Sequence, residues 1–177
     1  MPHKKTMHEK DQKSRRVNLP KMQGHHCFAC GTANPIGLNL DFYLSDDMVC
    51  TDVTLTRNHV GWQNMAHGGI VSTLLDEVMS WTAIYLKKEY FVTRRMEIKY
   101  IKPVLVEIPL TVKGQLLRDL RGPFVEVKAE IFNQQAEVLA RSTGRFVSVS
   151  NDDYLLVPEE WQNEIRRWIE SLPSIYK

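Results

Sequence analysis

The chain has 177 residues, with 23 basic and 21 acidic side chains, a formal net charge of +2, and 43% apolar and 25% charged residues. That length suits one domain with a substantial core and short appendages. The near balance of charge gives no basis for nucleic-acid binding, and no apolar run reaches the roughly 20 residues that span a bilayer, so neither nucleic acid nor membrane is an expected partner.

The N-terminal stretch "MPHKKTMHEKDQKSRR" is polar, mildly basic and without an apolar signal region. Residues 1–23 are therefore expected to form a disordered arm rather than a secretory signal. The three cysteines, Cys27, Cys30 and Cys50, are an odd number. Without a secretory signal they predict free thiols in a reducing compartment, the cytoplasm.

"HHCFACGTANPIGLNL" follows, rich in turn residues at Gly31, Asn34-Pro35 and Gly37. Cys27-x-x-Cys30 with His25 or His26 has the spacing of half a zinc site. A structural zinc site needs four ligands, and neither a second C-x-x-C nor an H-x-x-x-H pair follows. A redox pair would normally stand at a helix start in a thioredoxin-like setting, which is not evident here. The expectation is that Cys27, Phe28 and Cys30 anchor this segment as small apolar groups, with no metal.

A period of two then sets in. Leu38, Leu40, Phe42 and Leu44 alternate with polar residues and predict a strand, Ser45-Asp46-Asp47 a turn, and Val49, Thr51, Val53 and Leu55 a second strand that completes a hairpin. "TRNHVGWQNMAHGG" reads as a loop. Residues 68 to 86 then read as one long helix. At about 100° per residue, Ile70, Val71, Leu74, Leu75, Val78, Trp81 and Tyr85 share a broad apolar arc. Ser72, Thr73, Asp76, Ser80 and Ala83 share a small, polar one, and Glu77 falls at the edge of the apolar arc. Four further strands are expected in "VTRRMEIKYI", "IPLTVKGQLLRD", "FVEVKAEIF" and "AEVLARSTGRFVSVS". One long apolar helix against a largely antiparallel sheet is an α+β layer architecture. The domain is expected over residues 24–150, followed by a helical extension over 151–177 that starts near Pro158 and carries a stripe of Trp161, Ile165, Trp168, Ile169 and Leu172.

Two glycines open the long helix and a carboxylate pair stands in its middle. A helix start offers uncommitted N–H groups and partial positive charge, and Gly68 and Gly69 would let a ligand come close. That arrangement suits a carbonyl oxygen gaining negative charge, while a carboxylate near the reacting carbon can act as general base or nucleophile. Gly68 and Asp76 are about 12 Å apart along one helix axis, at 1.5 Å per residue, too far to serve one carbonyl. Two antiparallel copies of the helix would bring the start of one beside the middle of the other, so a single site would straddle a two-fold dimer interface.

"HGGIVSTLLDEVMSWTA" followed by "VTRRMEIKYIKPV" resembles the hotdog-fold acyl-CoA thioesterases of the PaaI-like group. The resemblance implies a hotdog fold, a long central helix wrapped by a curved antiparallel sheet, here with an extra C-terminal helix. It also implies homodimers, in some members paired into tetramers, and hydrolysis of an acyl-CoA to free acid and coenzyme A with no cofactor beyond the substrate's own coenzyme A. It places the catalytic base or nucleophile at Asp76, the carbonyl-polarising N–H at Gly68 after His67, and a helping hydroxyl at Thr93. Gly69 falls in the same glycine pair, and Arg94, Arg95 and Lys102 are the candidates for coenzyme A phosphates. Related enzymes use Glu as the acid, so Glu77 is a further site candidate. Many members carry an Asn six residues before the His of His-Gly-Gly, where this chain has Gly61; Asn58 and Asn64 are the nearby substitutes. The alternative reading is a hotdog protein that binds acyl-CoA or another small ligand without turning it over.

Overall fold

The computed structural model describes residues 16–149 and 157–174. In chain order the strands are β1 (Val17–Asn18), β2 (Tyr43–Ser45), β3 (Met48–Thr54), β4 (Val60–Trp62) and β5 (Met65–Ala66), then helix α1 (Gly68–Lys87). After it come β6 (Phe91–Tyr100), β7 (Pro109–Asp119), β8 (Phe124–Phe132), β9 (Val138–Ser148) and helix α2 (Glu159–Ser171). Seven strands form one antiparallel sheet in the order β1-β2-β3-β7-β8-β9-β6, and β4 and β5 form a separate ribbon. This is the hotdog fold: α1 lies against the sheet, and β6 forms the edge beyond β9.

The expected apolar arc of α1 is the buried one. Val71, Leu74, Leu75, Val78, Trp81 and Tyr85 are all buried and share one core with Val112, Val127, Ala129, Ile131 and Phe146 from the sheet. Burial on this scale, at roughly 25 cal/mol per Å² of apolar surface, is the main force holding helix to sheet. Two sheet glycines permit the close approach: a Cβ on Gly114 would collide with Thr82 and Val78, and one on Gly144 would stand 2.8 Å from the Phe146 ring and 3.2 Å from Met79. The small polar arc departs from expectation at Ala83, which is fully buried. The reason is α2. Its Trp168 packs edge-on against Trp81 at 5.0 Å, and Tyr85 donates to the carbonyl of Ser174 beyond it. The C-terminal half of α1 is therefore covered on a second side.

Other differences have local causes. The stretch 38–42 is apolar in alternation, with Leu40 and Phe42 buried, yet sheet pairing begins only at Tyr43. Asn39 takes a left-handed backbone with φ of 48°, and the N–H groups of Leu38 and Leu40 bond to Phe28 and Ala29 of the cysteine loop instead of to a strand. The expected loop at 56–69 holds a 3₁₀ turn, Arg57–His59, capped by Thr56, and the β4–β5 ribbon, turned at Gln63 with φ of 50°. Residues 16–23, expected within the disordered arm, are seated: β1 pairs with β2, Leu19 is buried, and Pro20 accepts a hydrogen bond from Trp168 Nε1 at 2.8 Å. The rest of that expected arm lies outside the described residues, as do 150–156. Among the described residues, no helix is long and apolar enough to cross a membrane.

Candidate active site

His67 is the N-cap of α1, and its Nδ1 accepts the Gly69 N–H at 3.0 Å. With Nδ1 accepting, Nε2 is the ring nitrogen that carries the N–H. The His67 carbonyl takes the N–H groups of Ile70 and Val71. Three of the four donors of the first turn are thus committed within the chain, and among the described residues the Gly68 N–H has no acceptor. A helix start that keeps one exposed donor has the character of an anion site.

The peptide beside that donor is fixed by two hydroxyls, one from Ser72 on the small polar arc and one from Tyr100 on β6. Ser72 Oγ donates to the Gly68 carbonyl at 2.8 Å, Tyr100 OH donates to it at 3.1 Å, and the two hydroxyls are 2.9 Å apart. The signal for Tyr100 is present in the period-two pattern of β6. Its proximity to a helix 32 residues away is a property of the sheet order. Gly68 and Lys102 line one open cleft together with Met65, Val71 and Tyr100, while the Lys102 ammonium pairs with Glu137 at 2.6 Å.

Two turns further along α1, Asp76 Oδ1 accepts the Thr93 hydroxyl at 2.7 Å. Thr93 stands on edge strand β6 next to a bulge between Thr93 and Arg95 in its pairing with β9, the kind of irregularity that re-aims a side chain. Burial raises the Asp76 carboxyl above the ordinary aspartate range, and the Thr93 hydrogen bond partly offsets it. A half-buried carboxylate of raised basicity, oriented by one hydroxyl, is suited to accept a proton from water.

Within one chain the expected residues fall into separate places. Asp76 and Thr93 meet, and His67, Gly68 and Gly69 meet, two helical turns apart. Arg94 and Arg95 lie on a groove across the sheet with Arg118, Arg145, Glu97 and Glu126. Asn64, in the β4–β5 turn, is exposed and holds the Val106 N–H through its carbonyl. Gly61 sits where a side chain has no room: its Cβ would come within 2.8 Å of the His67 Cα. The shifted register of β4 against β5 between Val60 and Trp62 brings the two backbones together.

Glu77 does not join the Asp76–Thr93 pair. It faces the cysteine loop, takes a hydrogen bond from Trp81 Nε1 at 3.0 Å, and lies 3.9 Å from Cys27 Sγ. Burial is the main cause that pushes it up to about 7, with the neighbouring Cys27 adding to the shift.

Residues 63–140 match the family model of the thioesterase superfamily. A solved structure of a thioesterase superfamily protein is similar at 27% identity and a TM-score of 0.63, over 70% of this chain and 60% of that one, so the chain spans less than two thirds of that relative. The PaaI protein of the phenylacetic acid degradation operon of E. coli is similar at 20% identity and a TM-score of 0.58, over 64% of this chain and 81% of that one. A hypothetical thioesterase from Streptococcus pneumoniae, solved with coenzyme A, is similar at 22% identity and a TM-score of 0.54, over 58% of this chain and 79% of that one. No curated protein matches. The matched span, which carries Gly68, Asp76 and Thr93 on the elements just described, is similar to the thioesterase superfamily, and the chain shares the hotdog fold of those solved structures.

Proposed function

We propose that the chain is a PaaI-like acyl-CoA thioesterase that works as a homodimer, with each site built from the α1 start of one copy and the α1 middle of the other. The observation that carries this reading is the pair of complementary halves on one helix: an uncommitted Gly68 N–H at its start, and an Asp76 carboxylate oriented by Thr93 two turns on. Edge strand β6, which pairs with β9 alone among the described strands, exposes Val92 and Tyr100. It is the natural surface for a second copy to extend the sheet. Coenzyme A bound to a protein of the same fold supports the substrate class.

In the reaction, water attacks the thioester carbonyl while Asp76 takes the water proton. The carbonyl oxygen becomes an oxyanion and accepts the Gly68 N–H. Collapse of the tetrahedral intermediate breaks the C–S bond, releasing the acid and the coenzyme A thiolate, which takes up a proton. A thiolate is a good enough leaving group to depart without a strong acid. Arg94, Arg95 and Lys102 are proposed to meet coenzyme A phosphates, Gly69 and Asn64 to border the carbonyl, and the cytoplasm is the proposed compartment.

The test is thiol release from a panel of short, long and aromatic acyl-CoAs. Turnover on a member of the panel that Asp76→Asn abolishes supports the assignment. The absence of Asn at position 61 favours one second reading, a binder that holds acyl-CoA intact; recovery of unhydrolysed ligand from a folded dimer would establish that instead.

A further inference from the structure

We propose that His25, Cys27, Cys30 and Glu77 form a four-ligand site for a zinc-class divalent metal ion, tying the N-terminal loop to the middle of α1. Ligand atoms of His25, Cys27 and Cys30 already lie within 4.8 Å of one another, and Glu77 Oε1 is 3.9 Å from Cys27 Sγ. Around a tetrahedral ion with bonds of about 2.0–2.3 Å, ligand atoms stand roughly 3.3–3.8 Å apart. The three loop ligands therefore close on an ion with side-chain movements of about 1 Å, and Glu77 reaches it from the Cys27 side.

The loop is built for this convergence. The Gly31 N–H bonds to the Cys27 carbonyl at 3.0 Å and the Ala33 N–H to the His25 carbonyl at 3.1 Å. A Cβ on Gly31 would stand 2.5 Å from both of those carbonyl oxygens, so only glycine lets the turn wind this tightly. On the other side, Trp81 Nε1–H holds the Glu77 carboxylate at 3.0 Å, the outer hydrogen bond that orients a metal-binding carboxylate.

Cysteines serving only as apolar anchors would bury their sulfurs among carbon atoms. Cys27 and Cys30 do pack against the core as anchors, and they also line a cavity that holds His25, Lys21 and Glu77. Ile165 and Trp168 of α2 line the same cavity, which suits a closed structural site rather than one with an open position. Two sulfurs and an imidazole select a soft or borderline ion over magnesium or calcium. Counting ligands by motif stops at half a site, because the fourth ligand is supplied by the helix, 50 residues from Cys27.

The experiment uses the full chain, purified under reducing conditions without metal-affinity chromatography. Metal content is read by plasma mass spectrometry, and the demetallated chain is titrated with cobalt. The expected result is about one zinc per chain and, with cobalt, tetrahedral d–d bands together with thiolate-to-cobalt charge transfer. Cys27→Ser and Cys30→Ser should weaken the charge transfer, and Glu77→Gln should lower affinity at least about tenfold. If the cysteine variants fail to fold, the wild-type cobalt spectrum and Glu77→Gln still decide. A folded wild-type chain without stoichiometric metal or cobalt bands overturns the proposal, as does a Cys27–Cys30 disulfide in freshly blocked protein, or Glu77→Gln binding as tightly as wild type. None of these readings involves acyl-CoA, so the outcome is independent of the thioesterase assignment.

Discussion

Asp76 and Glu77 are adjacent on α1, yet their carboxylates serve different neighbourhoods: Asp76 meets the Thr93 hydroxyl of edge strand β6, and Glu77 meets Trp81 and Cys27. Successive helical residues diverge by about 100°, so one carboxylate faces the sheet edge and the other the cysteine loop. Replacing one should therefore leave the other's surroundings intact.

Asp76→Asn should keep the fold and lower turnover by at least about 10²-fold, the scale of a positioned acid–base group. It should also not destabilise the chain at neutral pH. The folded Asp76 carboxyl is raised by burial, so the fold favours its protonated form. Its contribution to stability is present below the unfolded pKa and is lost as pH rises through the higher folded value. Asparagine, never charged, escapes that loss. Thermal melts at pH 7 should show an equal or higher Tm for the variant; a clear drop would mean that ionised Asp76 supports the fold.

Thr93→Val removes the one hydroxyl that favours the charged form of Asp76. The carboxyl should then rise further, so the acidic limb of the kcat/KM profile should move to higher pH, with a lower plateau from the lost orientation. A profile unchanged in position would show that Thr93 does not tune the base.

Much of this was legible beforehand, and the omissions share a cause. The apolar arc of α1, the strand alternation and the pairing of Asp76 with Thr93 all follow from local period or a long motif. What escaped depended on distant chain segments meeting. Tyr100 reaches the Gly68 carbonyl only because β6 runs along the start of α1. Leu38 and Leu40 lose their strand because the cysteine loop takes their N–H groups. Glu77 is a site candidate because related enzymes use Glu as the acid, whereas its partners here are Trp81 and the loop at 25–30.

His67→Ala should separate a structural role from a chemical one. The side chain caps α1 by accepting the Gly69 N–H, and losing such a cap costs about 1 kcal/mol, or roughly 2–4 °C in Tm for a chain of this size. His67→Asn, which can still cap, should recover most of that Tm. Turnover that recovers in parallel would show that His67 contributes by holding the helix start; turnover that stays low would assign the Nε2–H a direct part.

Gly68→Ala tests the proposed oxyanion donor without threatening the fold. An added Cβ meets nothing closer than Tyr100 OH, at 3.6 Å, an ordinary van der Waals contact, and alanine is a good residue for the first turn of a helix. The Tm should hold. The methyl group would crowd the approach of a substrate carbonyl to the Gly68 N–H, so kcat should fall more than KM rises if that N–H meets the oxyanion rather than the ground-state carbonyl. Wild-type kinetics in a folded Gly68→Ala chain would move the oxyanion donor elsewhere. Gly61→Asn is the contrasting control: its Cβ would press within 2.8 Å of the His67 Cα, so installing the residue common in relatives should lower Tm rather than raise activity.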